Sequence, residues 1–244
     1  MRTVCYQREI REKLEQSDPR SIVPLDQCHV DIISDRAAKE IIYKYEWLGT
    51  MGRTVHTCGL IGPTGQVIGA LCFGWPGSPE SRDICGKDFR DRAICLERGA
   101  CAHYTHPHAP SFLVSRGTRL IHRLHGYDIF YAYSDEEAGE IGTIYQACNW
   151  LYIGQGVGRS KGRLREDFKT PEGPIVSSRT LRHRGLTKTE AIQKGWKVIL
   201  RHPKHKYVYF EGSKSNRRTL KLKLRYPALP YPNRQERIER VAAP

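Results

Sequence analysis

Two charged side chains stand at the ends of predicted strands, where chemistry is often carried out. Asp135 follows a strand predicted at 127–133, and functional groups of α/β proteins gather at the carboxyl ends of strands. A carboxylate there can hold an amine or a metal ion, and it can equally cap the helix that follows. Arg98 ends an apolar strand predicted at 93–98. An arginine in such a strand needs a partner carboxylate or an anionic ligand.

The densest histidine group is the run His103-Tyr-Thr-His106-Pro-His108. Pro107 favours a loop, in which three imidazoles can bind a transition metal or remain polar without a metal. Eight cysteines lie at positions 5, 28, 58, 72, 85, 95, 101 and 148. Because no Cys-x-x-Cys pair occurs, we expect neither a zinc ribbon nor a redox motif. We expect reduced thiols, most of them buried as small hydrophobes.

Helix and strand signals alternate through the first part of the chain. A charged helix is predicted at 6–16, and Asp35 is expected to cap a second helix that ends before Gly49. The further predicted elements are a hairpin at 56–61 and 67–73, the strand 93–98, a helix at 111–124 that Gly126 ends, the strand 127–133, and a helix capped by Ser134 and Glu137 that carries Ile144, Tyr145, Cys148 and Leu151. This order predicts an α/β domain with a mixed sheet over residues 1–154.

The net charge of +14 is unevenly distributed along the 244 residues. Residues 1–154 carry 17 basic and 19 acidic side chains, whereas residues 155–244 carry 23 and 7. Such a field attracts polyanions, and interleaved aromatic residues favour nucleic acid over a merely solvated surface. The candidate DNA contacts are Arg179, Arg182, Arg184, Lys188, Lys204, Lys206, Arg217 and Arg218, with Tyr207 or Tyr209 as a ring that stacks on an unpaired base or packs the sheet.

The basic part is predicted to be folded and to continue the sheet as an α+β extension over 155–244. It begins at a glycine-rich hinge at 154–158, and Thr187 and Glu190 form a capping box for a short helix. Strands are predicted at 196–200, at 206–210 and, from a clean alternation of leucine with basic residues, at 219–225. The chain has no apolar run long enough for a membrane span and begins without a secretory signal pattern, so we expect a cytoplasmic protein.

The order of elements resembles the acetyltransferase-like fold called GNAT. In that fold a helix N-terminus receives the coenzyme A pyrophosphate, and its signature is Arg/Gln-x-x-Gly-x-Gly/Ala. The nearest match here is Ser115-Arg-Gly-Thr118, so Ser115, Arg116 and Gly117 are candidate anion-binding residues. The second small residue is missing, which argues against acetyl coenzyme A and leaves the donor open. Tyr145 matches a GNAT tyrosine that protonates a leaving thiolate; the alternative is a tyrosine packed in the core.

Three runs resemble a narrower family, the Mom proteins of Mu-like phages. They are Tyr45-Glu-Trp-Leu-Gly49, Leu96-Glu-Arg-Gly99 and Ser134-Asp-Glu-Glu-Ala-Gly-Glu-Ile-Gly-Thr-Ile-Tyr-Gln-Ala-Cys-Asn-Trp150. The resemblance covers roughly residues 35–155. It implies a GNAT-like enzyme that converts the exocyclic amine of adenine in phage DNA to a carbamoylmethyl derivative and so protects it from restriction. It also implies iron.

The resemblance also implies site residues. The family's functional Asp and Tyr match Asp135 and Tyr145, and its Arg and Ser match Arg98 and Ser111. A family His-Tyr pair falls at Glu46-Trp47, which departs from the pattern. Glu46 is therefore a candidate base or metal ligand, with His103 as a second candidate ligand.

Two alternatives stay open from the sequence. One is a GNAT N-acetyltransferase that uses acetyl coenzyme A on a protein or a small amine. The other is a DNA-binding protein without enzyme activity on a GNAT scaffold. An adenine-modifying enzyme requires double-stranded DNA from which the base is flipped, or single-stranded DNA, and no membrane partner is expected.

Overall fold

A computed structural model describes residues 4–75, 79–156, 164–173 and 175–233. The strands are β1 His29–Ile32, β2 Thr54–Ile61, β3 Val67–Gly74, β4 Ala93–Cys101, β5 Ile129–Ser134, β6 Leu151–Gln155, β7 Arg165–Lys169, β8 Ile175–Ser177, β9 Lys197–Arg201 and β10 His205–Phe210. The helices are α1 Tyr6–Ser17, α2 Asp35–Tyr45, α3 Ala109–His125, α4 Thr143–Ala147, α5 Ser178–His183, α6 Lys188–Gln193 and α7 Lys214–Lys223.

Seven strands form one mixed sheet in the order β1-β2-β3-β4-β5-β10-β6. The first four are antiparallel neighbours, β4 runs parallel to β5, and β10 pairs antiparallel with β5. Helices flank this sheet, so the mixed α/β architecture expected from the sequence is confirmed, and the GNAT-like arrangement with it.

The parallel pair β4 and β5 separates partway along its length. Their pairing runs from Ala93 opposite Ile129 to Leu96 opposite Ala132 and ends there. Strand β4 continues to Cys101, still paired with β3. The two strands therefore open into a split beyond Leu96, and side chains from both strands face this split.

Helix α3 packs closely on the sheet through a glycine. A Cβ added at Gly117 would lie 2.8 Å from Leu71 Cδ1 and 2.9 Å from Cys58 Sγ. A Cβ at these distances would require the side chain of Leu71 or Cys58 to move, so packing favours glycine here. Gly117 is also a candidate anion-binding residue, and it lies on the buried face of α3.

Contacts divide the chain into two compact units. One contains the described residues up to Gly154 and those from His205 onward, and the other is Gln155–Lys204. The expected extension over 155–244 is therefore distributed over both units. In the second unit, β8, β7 and β9 form a three-stranded antiparallel sheet, with Phe168, Leu181 and Ala191 at its core. The predicted capping box of Thr187 and Glu190 is present at the start of α6.

Four local predictions are wrong. Ser34 rather than Asp35 is the N-cap of α2, and the helix expected after a capping box of Ser134 and Glu137 begins only at Thr143, without that box. Residues 219–225 were expected to form a strand, but most of them belong to α7, whose N-cap Ser213 accepts a hydrogen bond from Asn216 N. Leu220 is buried while Leu222 is 79% exposed, so the alternation does not follow burial. Leu151 was placed on a helix and lies in β6. The predicted hinge at 154–158 falls partly outside the described residues.

All eight cysteines are free thiols, and Cys58, Cys72, Cys85 and Cys95 are buried. Among the described residues, no helix combines the length and the apolar character needed to cross a bilayer.

Candidate active site

A cavity of about 170 Å³ lies where β4 and β5 separate. Its walls come from the ends of both strands, from α3, from the segment 139–145, and from Gln7 and Glu46. The polar side chains that line it are Gln7, Glu46, Glu97, Arg98, Tyr133, Ser134, Glu140, Thr143 and Tyr145. The structure thus brings together three of the residues expected from the sequence, namely Glu46, Arg98 and Tyr145.

Arg98 is held in place by a set of hydrogen bonds. Its Nε donates to Thr50 O at 2.8 Å, its Nη1 to Glu97 O at 2.6 Å and its Nη2 to Thr50 Oγ1 at 3.2 Å. Glu46 Oε2 lies 3.8 Å from Arg98 Nε and accepts hydrogen bonds from the backbone of Leu48 and Gly49. Arg98 and Glu46 therefore fasten one wall of the cavity to the turn after α2.

Tyr145 stands on α4 against two aromatic rings. Its ring centroid is 5.1 Å from that of Trp150 and 5.3 Å from that of Tyr207. Burial raises the pKa of the Tyr145 phenol well above its usual value, and the negative charges of Glu140 and Glu46 add to the rise. The phenol is therefore protonated at neutral pH and can donate a proton to a developing anion.

Ser134 and Glu140 complete the cavity. Ser134 is 2% exposed, and its Oγ has no hydrogen-bond partner among the described residues. A buried hydroxyl without a partner is costly, which points to a ligand atom at this place. Glu97, from β4, also lines the cavity, and its Oε2 accepts a hydrogen bond from Arg53 N at 3.0 Å.

The sequence did not identify Glu97, Ser134 or Glu140 as site residues. All three stand inside the runs 96–99 and 134–150 that carry the family resemblance. The family resemblance therefore indicated the right stretches of sequence, but the spacing of the residues alone did not show that these three, and not Asp135, line the cavity.

Two expected site residues lie elsewhere. Asp135 is 6% exposed and caps the 3₁₀ helix Glu136–Ala138 by accepting a hydrogen bond from Glu137 N at 3.1 Å; it is not among the residues that line the cavity. Ser111 lies in the first turn of α3, and its Oγ donates to His108 O at 3.0 Å.

The segment 135–142 is tied to β10 by buried hydrogen bonds. His205 Nε2 lies 2.8 Å from Glu136 Oε1, and His205 Nδ1 lies 2.9 Å from Tyr152 OH. Tyr207 OH donates to Ile141 O. Because Tyr207 is fully buried, it packs in the sheet and is not available to stack on a base, which agrees with the second of the two alternatives given for it.

A second concave surface, here called the α3/α7 groove, has a volume of about 1010 Å³. Its basic side chains are His108, Arg116, Arg119, Lys214, Arg217, Arg218 and Lys221. Ser111, a site residue implied by the family resemblance, and Ser115, a candidate anion-binding residue, line it as well. Tyr209 also lies in it and stacks on Trp150 with ring centroids 5.7 Å apart.

The described residues do not fit the iron that the family resemblance implies. Among them, no three His, Cys, Asp or Glu side chains are grouped closely enough to hold a metal ion. His103 is buried, with Nδ1 3.0 Å from Tyr45 OH and Nε2 2.8 Å from Asp18 O. Because both ring nitrogens are hydrogen-bonded, the expectation of His103 as a ligand is wrong. Glu46 instead pairs with Arg98.

Lys206 was expected to contact DNA, but it is only 3% exposed. Its Nζ donates to Ser81 O at 3.0 Å and lies over the rings of Tyr131 and Tyr133. Burial lowers its pKa to about 8. Lys206 is therefore not available to a phosphate, and that expectation is wrong.

The remaining candidate DNA contacts differ in their surroundings. Arg182, Arg184 and Lys188 are exposed on the second unit, where Lys188 Nζ pairs with Glu166 Oε1 at 2.7 Å, and Lys204 is partly exposed. The side chain of Arg179 lies outside the described part of the structure.

A mixed sheet that opens between two parallel strands, with a polar cavity in the opening, defines a GNAT-like α/β protein. The chain belongs to the Mom protein family, whose model matches residues 27–233. Membership in this family indicates a transferase of phage DNA modification.

Solved structures of acetyltransferases are similar to the chain at low identity. Spermidine N-acetyltransferase from Vibrio cholerae in complex with CoA and spermine is 9% identical, covers 78% of this chain and 98% of its own, and has a TM-score of 0.41. IAA acetyltransferase from Bacillus cereus is 11% identical, covers 75% of this chain and 99% of its own, and has a TM-score of 0.41. A comparison with curated protein sequences gave no match. The family assignment therefore rests on the family model.

Proposed function

We propose that this protein converts the exocyclic amine of adenine in DNA to a carbamoylmethyl derivative, which protects the DNA from host restriction. Membership in the Mom family supports this proposal. The observation that carries it is the cavity at the β4–β5 split, where the Glu140 carboxylate, the Ser134 hydroxyl and the protonated Tyr145 phenol converge.

The amine needs a proton acceptor. The lone pair of the exocyclic nitrogen is delocalised into the purine ring, so the nitrogen becomes a good nucleophile only as it loses a proton. Glu140 lines the cavity, and its charge contributes to the raised pKa of Tyr145. In the proposed step Glu140 accepts the amine proton while the nitrogen attacks the methylene carbon of an activated carbamoylmethyl donor.

The leaving group needs a proton donor. The bond between the methylene carbon and the leaving group breaks, the leaving group takes the electron pair, and Tyr145 supplies a proton to it. Glu140 then returns its proton to the Tyr145 phenolate, so both side chains end as they began. In this proposal the buried Ser134 Oγ, which has no hydrogen-bond partner in the described part of the structure, donates a hydrogen bond to the carbamoylmethyl donor or accepts one from it. The Arg98–Glu46 pair stabilises the wall beside it.

Coenzyme A is a poor fit to the anion site predicted from the GNAT signature. Pro110 stands in the first turn of α3 and lacks the N–H that a pyrophosphate cradle uses. Gly117 is buried against Leu71 and Cys58. The proposed step therefore names the donor only by its chemical class.

Mass spectrometry of nucleosides tests the proposal. DNA isolated from cells that express the protein is digested and compared with DNA from cells that express Glu140→Gln or a vector alone. Carbamoylmethylated deoxyadenosine is expected with the native protein and reduced at least tenfold with the variant. Unmodified adenine with the native protein would refute the proposal.

Acetyl transfer to a protein or small amine is the second candidate, and the opening between β4 and β5 favours it. It predicts consumption of acetyl coenzyme A in the absence of DNA and acetylated rather than carbamoylmethylated product. The same cells and purified protein distinguish the two activities.

A further inference from the structure

The α3/α7 groove carries a concentration of positive charge that the cavity chemistry does not use. Six Lys and Arg side chains line it, two from α3 and four from α7, and none of the described residues that line it is acidic. Of the six, Arg119 lies 4.0 Å from Glu211. Such a surface attracts phosphates.

Four of the five basic residues of α7 line the groove. Lys214 lies three and four residues before the adjacent pair Arg217 and Arg218, and Lys221 lies four and three residues after them. From Lys214 to Lys221 there are seven residue steps, which correspond to about 10 Å along a helix axis. Phosphates follow one another at about 3.4 Å of axial rise along one strand of B-DNA. The row therefore spans the axial rise of about three nucleotides of one strand.

The groove and the cavity share the helices α3 and α4. On α3, Leu113 and Val114 line the cavity, whereas Ser115 and Arg116 line the groove. On α4, Tyr145 lines the cavity and Ala147 lines the groove. A strand held in the groove therefore lies about one helix diameter, roughly 10 Å, from the cavity.

The lining differs from that of an ordinary small-molecule pocket. Such pockets are mostly apolar with a few polar groups, whereas this groove is lined by exposed lysine and arginine ends with Tyr209 among them. An aromatic ring beside a basic track is typical of nucleic-acid contacts, in which a base stacks on the ring.

We propose that the α3/α7 groove binds the phosphodiester backbone of the DNA strand whose adenine enters the cavity. The inference rests on the proposed function and deepens it. It assigns the backbone contact to the unit that holds the cavity and adds Arg116, Arg119, Lys214 and Lys221 to Arg217 and Arg218.

The test removes three charges from the groove and three from elsewhere. The groove variant is Lys214→Gln, Arg218→Gln and Lys221→Gln, all exposed residues of α7. The matched control is Lys13→Gln, Arg36→Gln and Lys39→Gln, exposed residues of α1 and α2. Binding of a labelled oligonucleotide, duplex and single-stranded, is measured at several salt concentrations, and thermal unfolding checks that both variants are folded.

We expect the groove variant to bind DNA roughly 10- to 100-fold more weakly, with a salt slope shallower by about 2 to 3 for loss of three phosphate contacts. The control is expected to match the native protein in slope. Equal losses in both variants, or none in the groove variant, would overturn the inference.

A competition arm separates DNA from a nucleotide donor. If unlabelled coenzyme A displaces the oligonucleotide from the native protein no better than equal inorganic phosphate does, the inference holds. If the groove variant loses coenzyme A binding but keeps its DNA affinity, the groove belongs to the donor and the inference fails. Measuring adenine modification in the same cells distinguishes failure of this inference from failure of the proposed function. If the native protein modifies adenine and the groove variant still binds DNA normally, the inference about the groove fails while the proposed function stands.

Discussion

His205 Nε2 lies 2.8 Å from Glu136 Oε1, although the two residues are 69 positions apart in the chain. Both side chains are buried, at 2% and 3% exposure. His205 begins β10, the strand inserted between β5 and β6, and Glu136 begins the segment that leads to Glu140. The strand that follows the second unit in sequence, β10, therefore stabilises the segment that forms one wall of the cavity.

This relationship predicts a large effect of His205→Ala on stability. The change leaves the Glu136 carboxylate buried without this partner and removes the partner of Tyr152 OH, so the free energy of unfolding should fall by about 3 kcal/mol or more. Chemical denaturation measures the loss. His183→Ala, at an exposed histidine of α5, is the control and should change stability by less than about 0.5 kcal/mol. A loss below about 1 kcal/mol for His205→Ala would contradict the assigned contact.

Tyr145→Phe tests the proton donor without removing the ring that packs on Trp150. Loss of a general acid should lower the rate of adenine modification by about 10²- to 10⁴-fold, while the melting temperature stays near that of the native protein. Nucleoside mass spectrometry after a fixed expression time gives the rate. Tyr43→Phe, at a residue that is 52% exposed, should leave modification unchanged. Full modification with Tyr145→Phe would remove the phenol from the proposed step.

Local signals in the sequence predicted most of the first unit. Glycine at the end of α3 and the apolar runs of β2 and β3 each act over a few residues, as does the capping box of α6 in the second unit, so they can be recognised without the fold. The row Leu220, Leu222 and Leu224 suits a strand by pattern, yet the Ser213 cap and packing of α7 against β10 make most of it helical.

The candidate site was predictable only in part, for a similar reason. Arg98 was expected to need a carboxylate or an anion, and Glu46 stands beside it, because a charge in an apolar strand is conspicuous in the sequence. Ser134 and Glu140 were missed because their positions depend on where the segment 135–142 runs. That path is fixed by β10, which is distant in sequence.

Lys206 predicts a pH dependence of stability. Its pKa is about 8 in the folded protein against 10.5 for an ordinary lysine, because burial disfavours the ammonium. Between these pH values the unfolded chain binds more protons than the folded one, so this residue makes stability rise with pH. Its ammonium opposes folding by about 3 kcal/mol below pH 8, and that penalty is released as the pH approaches 10.5.

Comparison with Lys206→Met isolates this contribution from the tyrosines that titrate in the same range. The difference in unfolding free energy, native minus variant, should increase by roughly 2 to 3 kcal/mol from pH 7.5 to pH 10. The groups facing the ammonium are Tyr131, Tyr133, Cys95 and the carbonyl of Ser81. A constant difference across this range would show that Lys206 titrates as an exposed lysine does.

Gly117→Ala distinguishes a packing role from the anion-binding role that the GNAT signature predicts. The added methyl would meet Leu71 Cδ1 at 2.8 Å and Cys58 Sγ at 2.9 Å, so α3 must shift away from the sheet or the two side chains must move. Overpacking of this kind costs about 1 to 3 kcal/mol, which exceeds the gain in helix propensity of up to about 1 kcal/mol from replacing glycine. Denaturation should therefore show a net loss of stability. Ser115→Ala, two positions away on the groove side, lacks this clash and should keep native stability. If Gly117 served an anion instead, the variant would fold as well as the native protein and lose only ligand affinity.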